Sequence, residues 1–150
     1  MIDSSAVLGT VTIGKNTRIW QFCIILDDVT IGDNCNICSH VYIESGVKIG
    51  HGVTIKNGAR IYRNAIIEDN AFIGPNVVFT NDRYPKSKDY PIAYPTIHVH
   101  AHASLGAGVI LLPGVSIGAH TLVGAGSVVT RSLPDRVLAF GNPARVVSSQ

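Results

Sequence analysis

Residues 41–79 decide the fold, and they read VYIESGVKIGHGVTIKNGARIYRNAIIEDNAFIGPNVVF. From Ile43 to Ile73 every sixth residue is isoleucine, and Phe79 continues the series. An α-helix has about 3.6 residues per turn and a strand has a period of two, so a period of six fits neither element alone. It predicts a short strand and a tight turn in each hexapeptide.

The repeat extends outward from this stretch in both directions. An apolar residue opens the hexapeptides at Val7, Ile13, Ile19, Ile25, Ile31, Ile37, Ile43, Ile49, Ile55, Ile61, Ile67, Ile73 and Phe79, and later at Val99, Leu105, Leu111, Ile117, Val123 and Val129. The fifth position is mostly small or β-branched. The fourth is mostly glycine or asparagine, which tolerate the left-handed backbone of a tight corner. Three hexapeptides would close a triangular coil, and stacked coils would bury the first-position column.

These patterns predict an all-β, single-stranded parallel β-helix of about six coils over residues 1–134, followed by a cap at 135–150. The repeat stops at residues 80–98, TNDRYPKSKDYPIAYPTIH, where tyrosine precedes proline three times. Proline removes a ladder donor and favours extended neighbours, so we expect one projecting loop here. Loops of this length are usually functional. A disordered insertion is the alternative, although tyrosines are rare in disordered segments.

Composition excludes several classes of partner. The 150 residues carry a net charge of only +2, which does not indicate a nucleic-acid surface. No apolar run approaches the roughly 18 residues of a membrane helix, and no basic segment leads into an apolar run as in a signal peptide. The three cysteines are an odd number, so we expect no disulfide framework and a cytoplasmic location.

The repeat resembles the left-handed β-helix acyltransferase superfamily along essentially the whole chain. IWQFCIILDDVTIGDNCNICSHVYIE (19–44), IIEDNAFIGPNVVFTNDRYPKSK (66–88) and VVTRSLPDRVLAFGNPARVV (128–147) are similar to N-acetyltransferases of nucleotide-linked 3-amino sugars. These include enzymes acting on dTDP-3-amino-3,6-dideoxyhexoses and on UDP-sugars of surface polysaccharides. The resemblance implies a left-handed coil and a homotrimer. It also implies that acetyl-CoA and the nucleotide sugar meet between neighbouring prisms.

The acceptor site is expected where the repeat ends. Asn81 and Asp82 are predicted to hold the sugar amine, with Asp82 or Glu68 as the proton acceptor. Candidates for binding the rest of the substrate are Arg83, Tyr84, Lys86 and His40. Arg83 and Lys86 would bind the diphosphate. Two alternatives stay open. In the first, Asn81 and Asp82 only form the turn into the loop; in the second, the CoA thiolate itself takes the proton.

The donor is expected along the later coils. Small residues at Gly106, Ala107, Gly124 and Ala125 would leave backbone amides open to the pantetheine arm. Arg131 and Arg145 could bind the CoA phosphates, because guanidinium groups match that geometry. The alternative is that small residues are merely the default of the repeat and that the arginines are solvated.

The positions of the histidines in the repeat favour structural roles for them. His40, His102 and His120 fall in the fourth position, a corner that histidine tolerates, and His51 should stack between Asp33 and Asp69. His98, His100 and His102 alternate as ligands on one strand face would, but no metal is expected, and Cys35-x-x-Cys38 lacks the second half of a zinc site.

Three other functions compete with N-acetyl transfer. The nearest is an O-acetyltransferase acting on a sugar or another small molecule. A γ-type carbonic anhydrase would need three converging histidines and zinc, and a catalytically silent assembly module would not bind CoA.

Overall fold

The computed structural model describes residues 1–150 and contains strands but no helix. The strands are β1 Val7–Leu8, β2 Val11–Ile13, β3 Arg18–Ile19, β4 Ile24–Ile25, β5 Val29–Ile31, β6 Asn36–Ile37, β7 Tyr42–Ile43, β8 Lys48–Ile49, β9 Thr54–Ile55, β10 Arg60–Ile61, β11 Ile66–Ile67, β12 Phe72–Ile73, β13 Val78–Phe79, β14 His98–Val99, β15 Ser104–Leu105, β16 Ile110–Leu111, β17 Ser116–Ile117, β18 Leu122–Val123, β19 Val128–Val129, β20 Val137–Gly141 and β21 Ala144–Ser149.

Every third strand stacks on the same face of a prism. The first face has seven strands (β1, β4, β7, β10, β13, β16, β19) and the second has six (β2, β5, β8, β11, β14, β17). The third has eight (β3, β6, β9, β12, β15, β18, β20, β21). Pairing is parallel except between β20 and β21. We call the turns after the first, second and third faces the first, second and third corners; residues 62–64, 68–70 and 74–76 are one example of each.

The predicted hexapeptide positions are confirmed by burial and backbone angles. Ile43, Ile61 and Phe79 stack in register and are fully buried. The fourth-position residues take positive φ at the corners, as at Asn64 and Gly58. The fold is therefore the expected left-handed parallel β-helix, and its core is the column of first- and fifth-position side chains.

Two expectations about this architecture were wrong in detail. The stack has about seven turns, because seven strands share the first face, rather than six. In the first coil Leu8, not Val7, lies opposite Ile25, and Val7 is 63% exposed. The coil nearest the end has no earlier coil to enforce the register, so the one-residue shift leaves Val7 in solvent.

The segment from residues 80–97 does not form a single projecting loop. The Arg83 guanidinium donates to the Pro113 carbonyl at 3.1 Å, and Pro95 lies against Gly114. Farther along, Tyr90 and its neighbours face residues of the first corner across a cleft of about 550 Å³. The segment therefore lies against the prism, although most of it is exposed. The expected boundary also moves, because His98 already belongs to β14.

The C-terminal residues close the third face. β20 continues it in parallel, and β21 turns back antiparallel to β20. Cys23, Cys35 and Cys38 are buried and free. The chain has no helix of the length and apolarity needed to cross a membrane.

Candidate active site

A carboxylate and two imidazoles meet on the second face. Glu68 follows β11, and His98 lies on β14, the next strand of the same face. The His98 Nε2 to Glu68 Oε1 distance is 2.6 Å, and the His100 Nδ1 to Glu68 Oε1 distance is 3.2 Å. The two rings stack with centroids 3.9 Å apart. We call these three half-buried side chains the Glu68–His98–His100 cluster.

The two histidines differ in how many of their ring nitrogens have a polar partner. An ionised carboxylate only accepts, so Nε2 of His98 carries the proton in this contact, and Nδ1 is the acceptor nitrogen of the neutral ring. No hydrogen bond joins that Nδ1 to another protein group. His100 is engaged at both nitrogens, because its Nε2 lies 3.1 Å from Ser116 Oγ. His98 is therefore the imidazole with a free basic nitrogen.

The charge of Glu68 is stabilised by its surroundings. Partial burial raises the pKa of this carboxyl, but hydrogen bonds from His98 and from the Ala101 N–H, together with the nearby imidazoles, outweigh burial and lower it overall. Glu68 is therefore ionised at neutral pH and orients His98.

The third histidine of the alternating run lies elsewhere. His102 occupies a second corner with positive φ, and its ring stacks on His120 at 4.7 Å. A set of three histidines is therefore not formed within the chain. The ligand atoms of the cluster lie within 4.8 Å of one another, so it is the one group of three that could hold a metal ion.

Asn81 and Asp82 belong to the same coil as His98. They follow β13 at a first corner and His98 opens β14, whereas Glu68 follows β11 at a second corner, so the second face lies between Asn81 and Glu68. Asp82 Oδ1 accepts the Tyr84 N–H at 2.9 Å, which is the turn geometry considered above. Asn81 Nδ2 lies 3.5 Å from Glu44 Oε2, and this carboxylate also accepts the Arg63 N–H.

The other predicted substrate ligands are dispersed. Arg83 is bonded to Pro113, as described, while Tyr84 and Lys86 are exposed on the 80–97 segment. His40 lies at a third corner, where its ring centroid is 5.1 Å from that of Phe22. The structure therefore does not bring His40 to the end of the repeat.

A groove of about 370 Å³ runs from the cluster toward the N-terminal coils. It is lined by Lys48, Ile49, Gly50, Ile66, Ile67, Glu68, Asp69 and Ala101. Lys48 pairs with Ile66, which pairs with His98, so these residues form successive steps of one ladder.

The predicted donor residues lie at the third corner. A Cβ on Gly106 would come within 2.6 Å of the Ala125 nitrogen, and one on Gly124 within 2.8 Å of Phe140 Cβ. Coil packing alone therefore requires these glycines, and both N–H groups bond to the next coil. The exposed Ala107 and Ala125 N–H groups, in contrast, have no protein acceptor.

Acidic side chains at this hexapeptide position distinguish the other two corners from the third. At first and second corners a carboxylate often accepts the equivalent N–H: Asp27 from Thr10, Asp33 from Lys15, Asp69 from His51 and Asp135 from Ala119. No acidic residue occupies this position at a third corner. Arg131 and Arg145 are exposed but apart, at a first corner and in β21 respectively.

Sequence reasoning missed the two partners of Glu68. The pairing of Ile67 with Val99 places Glu68 and His100 at the same hexapeptide position in successive coils. Aligning the repeat across the interruption would have shown this juxtaposition.

The profile of the bacterial transferase hexapeptide family (six repeats) matches residues 10–45, 46–81 and 96–131, and that of the hexapeptide repeat of succinyl-transferase matches 28–63. The chain is 52% identical over 145 residues to a dTDP-3-amino-3,6-dideoxy-α-D-galactopyranose 3-N-acetyltransferase of Aneurinibacillus thermoaerophilus, covering 97% of this chain and 76% of that one.

Two further relatives are more distant. A galactoside O-acetyltransferase of Lactococcus lactis is 36% identical over 125 residues, or 77% of this chain and 60% of the relative. A GDP-perosamine N-acetyltransferase variant of Caulobacter crescentus, solved with CoA and GDP-perosamine, has a TM-score of 0.68 and 28% identity. That match covers 99% of this chain but only 56% of the solved one.

Proposed function

This chain belongs to the bacterial transferase hexapeptide family, and from that membership we propose that it is an acetyl-CoA-dependent N-acetyltransferase. Its acceptor is the amino group of a nucleotide-linked amino sugar, of the 3-amino-3,6-dideoxyhexose class named for the 52% identical relative. The observation that carries this proposal is the Glu68–His98–His100 cluster on the coil where Asn81 and Asp82 end the repeat.

His98 acts as the general base in the proposed reaction. The acceptor nitrogen attacks the thioester carbonyl carbon, and the free Nδ1 of His98 takes the proton that this nitrogen loses. The C–S bond then breaks, and the thiolate of CoA takes the proton from the imidazole. The ionised Glu68 carboxylate, 2.6 Å from Nε2 of His98, stabilises the imidazolium formed in between. Positioning of the amine against the thioester supplies much of the remaining acceleration.

Other predicted residues have supporting roles in this proposal. Asn81 and Asp82 hold the sugar beside the amine, with Arg83, Tyr84 and Lys86 on the adjoining segment. The N–H groups of Ala107 and Ala125, which have no protein acceptor, donate to carbonyl oxygens of the pantetheine arm, and Arg131 and Arg145 bind the phosphates of CoA.

The functional unit is proposed to be a homotrimer. The cluster lies beside the second corner, whereas Ala107 and Ala125 lie at the third, across the full width of the third face. One chain therefore does not bring its donor and acceptor residues together, but the third corner of a neighbouring copy would. We place the trimer in the cytoplasm, in the synthesis of cell-surface polysaccharide.

A substrate panel tests the proposed reaction. Purified protein with acetyl-CoA should acetylate dTDP-, UDP- or GDP-linked amino sugars, followed by CoA release and by mass spectrometry of the product. Matched nucleotide sugars with a hydroxyl in place of the amine are the controls. No product from any amino sugar would contradict the proposal.

O-acetyl transfer is the second candidate, because the galactoside O-acetyltransferase is 36% identical over 77% of this chain. Product formed from the hydroxyl sugars alone would favour it.

A further inference from the structure

The groove beside the Glu68–His98–His100 cluster carries opposite charges at its two ends. Glu68 and Asp69 lie at the end nearest His98, whereas Lys48 lies one ladder step toward the N-terminal coils and is the one cation of the lining. Lys48 is exposed, and no carboxylate forms an ion pair with it. Ile66 is the half-buried apolar floor between these ends.

Building on the function proposed above, we propose that this groove binds the sugar and diphosphate of the acceptor, with Lys48 on the diphosphate. An amino sugar linked to a nucleotide is itself dipolar, with a basic nitrogen on one side of the ring and a diphosphate on the other. The carboxylate end attracts the amino group, and Lys48 attracts the diphosphate. The pantetheine arm of the donor is uncharged and does not match two charged ends.

The ladder supplies a distance that suits this orientation. Lys48, Ile66 and His98 stand on successive strands, so Lys48 and His98 are two steps apart, or about 9.6 Å along the stack. In a 3-amino hexosyl diphosphate, one pyranose ring separates the amine from the nearest phosphate. The distance between these two groups is therefore shorter than the distance between Lys48 and His98. The flexible lysine side chain covers the difference.

This orientation determines the direction of both substrates. The diphosphate points toward the N-terminal coils, so the nucleoside lies beyond Lys48 on that side. The acetyl donor must therefore approach His98 from the C-terminal side, where the free amides of Ala107 and Ala125 are found. From the sequence, Arg83 is instead expected to bind the diphosphate. In the structure the Arg83 guanidinium already donates a hydrogen bond to the Pro113 carbonyl.

Steady-state kinetics of Lys48→Ala test the assignment. We expect the KM for dTDP-3-amino-3,6-dideoxygalactose to rise about tenfold, with the KM for acetyl-CoA unchanged, because one charge-assisted contact is lost. Lys48→Arg should recover most of the loss, since it restores the positive charge. Lys56→Ala is the matched control, a lysine of the same coil that lies at a third corner, and should match the wild type. A raised KM for acetyl-CoA, or no change in either KM, would overturn the proposal.

Calorimetric titration with dTDP and UDP separates this proposal from the proposed function. Binding of at least one nucleotide that weakens about tenfold in Lys48→Ala supports the groove even if the wild type acetylates no tested sugar. Equal binding by wild type and Lys48→Ala, or no binding of either nucleotide, refutes the role of Lys48 even if acetylation is observed.

Discussion

At the scale of single residues, the two histidines of the cluster should differ in how much their substitution lowers kcat. His98 has a free Nδ1, whereas His100 is bonded at both nitrogens. We expect His98→Asn to lower kcat about 100-fold, the size typical of general-base catalysis, and His100→Asn to lower it less. Steady-state kinetics at saturating acetyl-CoA measure both losses.

His102→Asn is the matched control, because asparagine also tolerates the positive φ of that corner. Its kcat should equal that of the wild type. If His98→Asn also retained full kcat, the thiolate of CoA would have to be the proton acceptor.

Asn81 and Asp82 test the acceptor site at the same scale. Neither side chain belongs to the buried column, so Asn81→Ala and Asp82→Ala should stay folded. At least one should lose about tenfold in kcat/KM for the amino sugar, equivalent to about 1.4 kcal/mol of transition-state stabilisation. CoA affinity, measured by calorimetry, should not change. Unchanged kinetics in both variants would leave the pair as the turn that the Asp82–Tyr84 contact forms.

Glu68 should make stability depend on pH in acid. Its pKa is lower in the folded chain than when unfolded, so its contribution is complete above the unfolded value of about 4.3 and is lost as the pH falls through the folded value. Urea melts of wild type and Glu68→Gln should therefore differ most near neutral pH and converge in acid. A stability difference that stays constant at all pH values would contradict this role.

Single residues were only partly predictable from the sequence. Glu68 was identified as a candidate proton acceptor, because a carboxylate can take a proton. The histidines beside it were not, since their contact depends on how the chain re-enters the stack after 80–97. That register is set by the pairing of Ile67 with Val99, a contact between residues distant in sequence.

At the scale of the repeat, burial should decide which substitutions unfold the protein. Ile67 is 1% exposed in the column, so Ile67→Asp would bury an unpaired charge at a cost of several kcal/mol. Lys56→Asp changes a corner side chain and should leave the midpoint of urea unfolding nearly unchanged. Circular dichroism in urea compares the two, and equal losses would contradict the assigned register.

The hexapeptide pattern predicts the elements well in the middle of the stack and less well at its ends. Each inner isoleucine meets a buried apolar side chain in the neighbouring coils, so local pattern and stacking agree. Val7 has a neighbour on one side only, and the shift to Leu8 follows. The 80–97 segment has no repeat at all, so its contacts with Pro113 and Gly114 had no signal in the pattern.

At the scale of the whole molecule, donor and acceptor positions on separate corners predict an assembly of three copies. Sedimentation equilibrium at micromolar concentration should give about three times the 16.0 kDa chain mass. Acetyl-CoA should then bind at a subunit boundary. A stable monomer with full activity would contradict the shared site.

The antiparallel direction of β21 disfavours end-to-end association of identical chains. A parallel solenoid that ended on an ordinary rung would present an adhesive edge, and identical chains could join end to end into filaments. The third face ends instead on a strand that runs against its neighbour, with exposed side chains along most of its length. An incoming first coil therefore finds no parallel template on that face, which disfavours end-to-end joining of copies there.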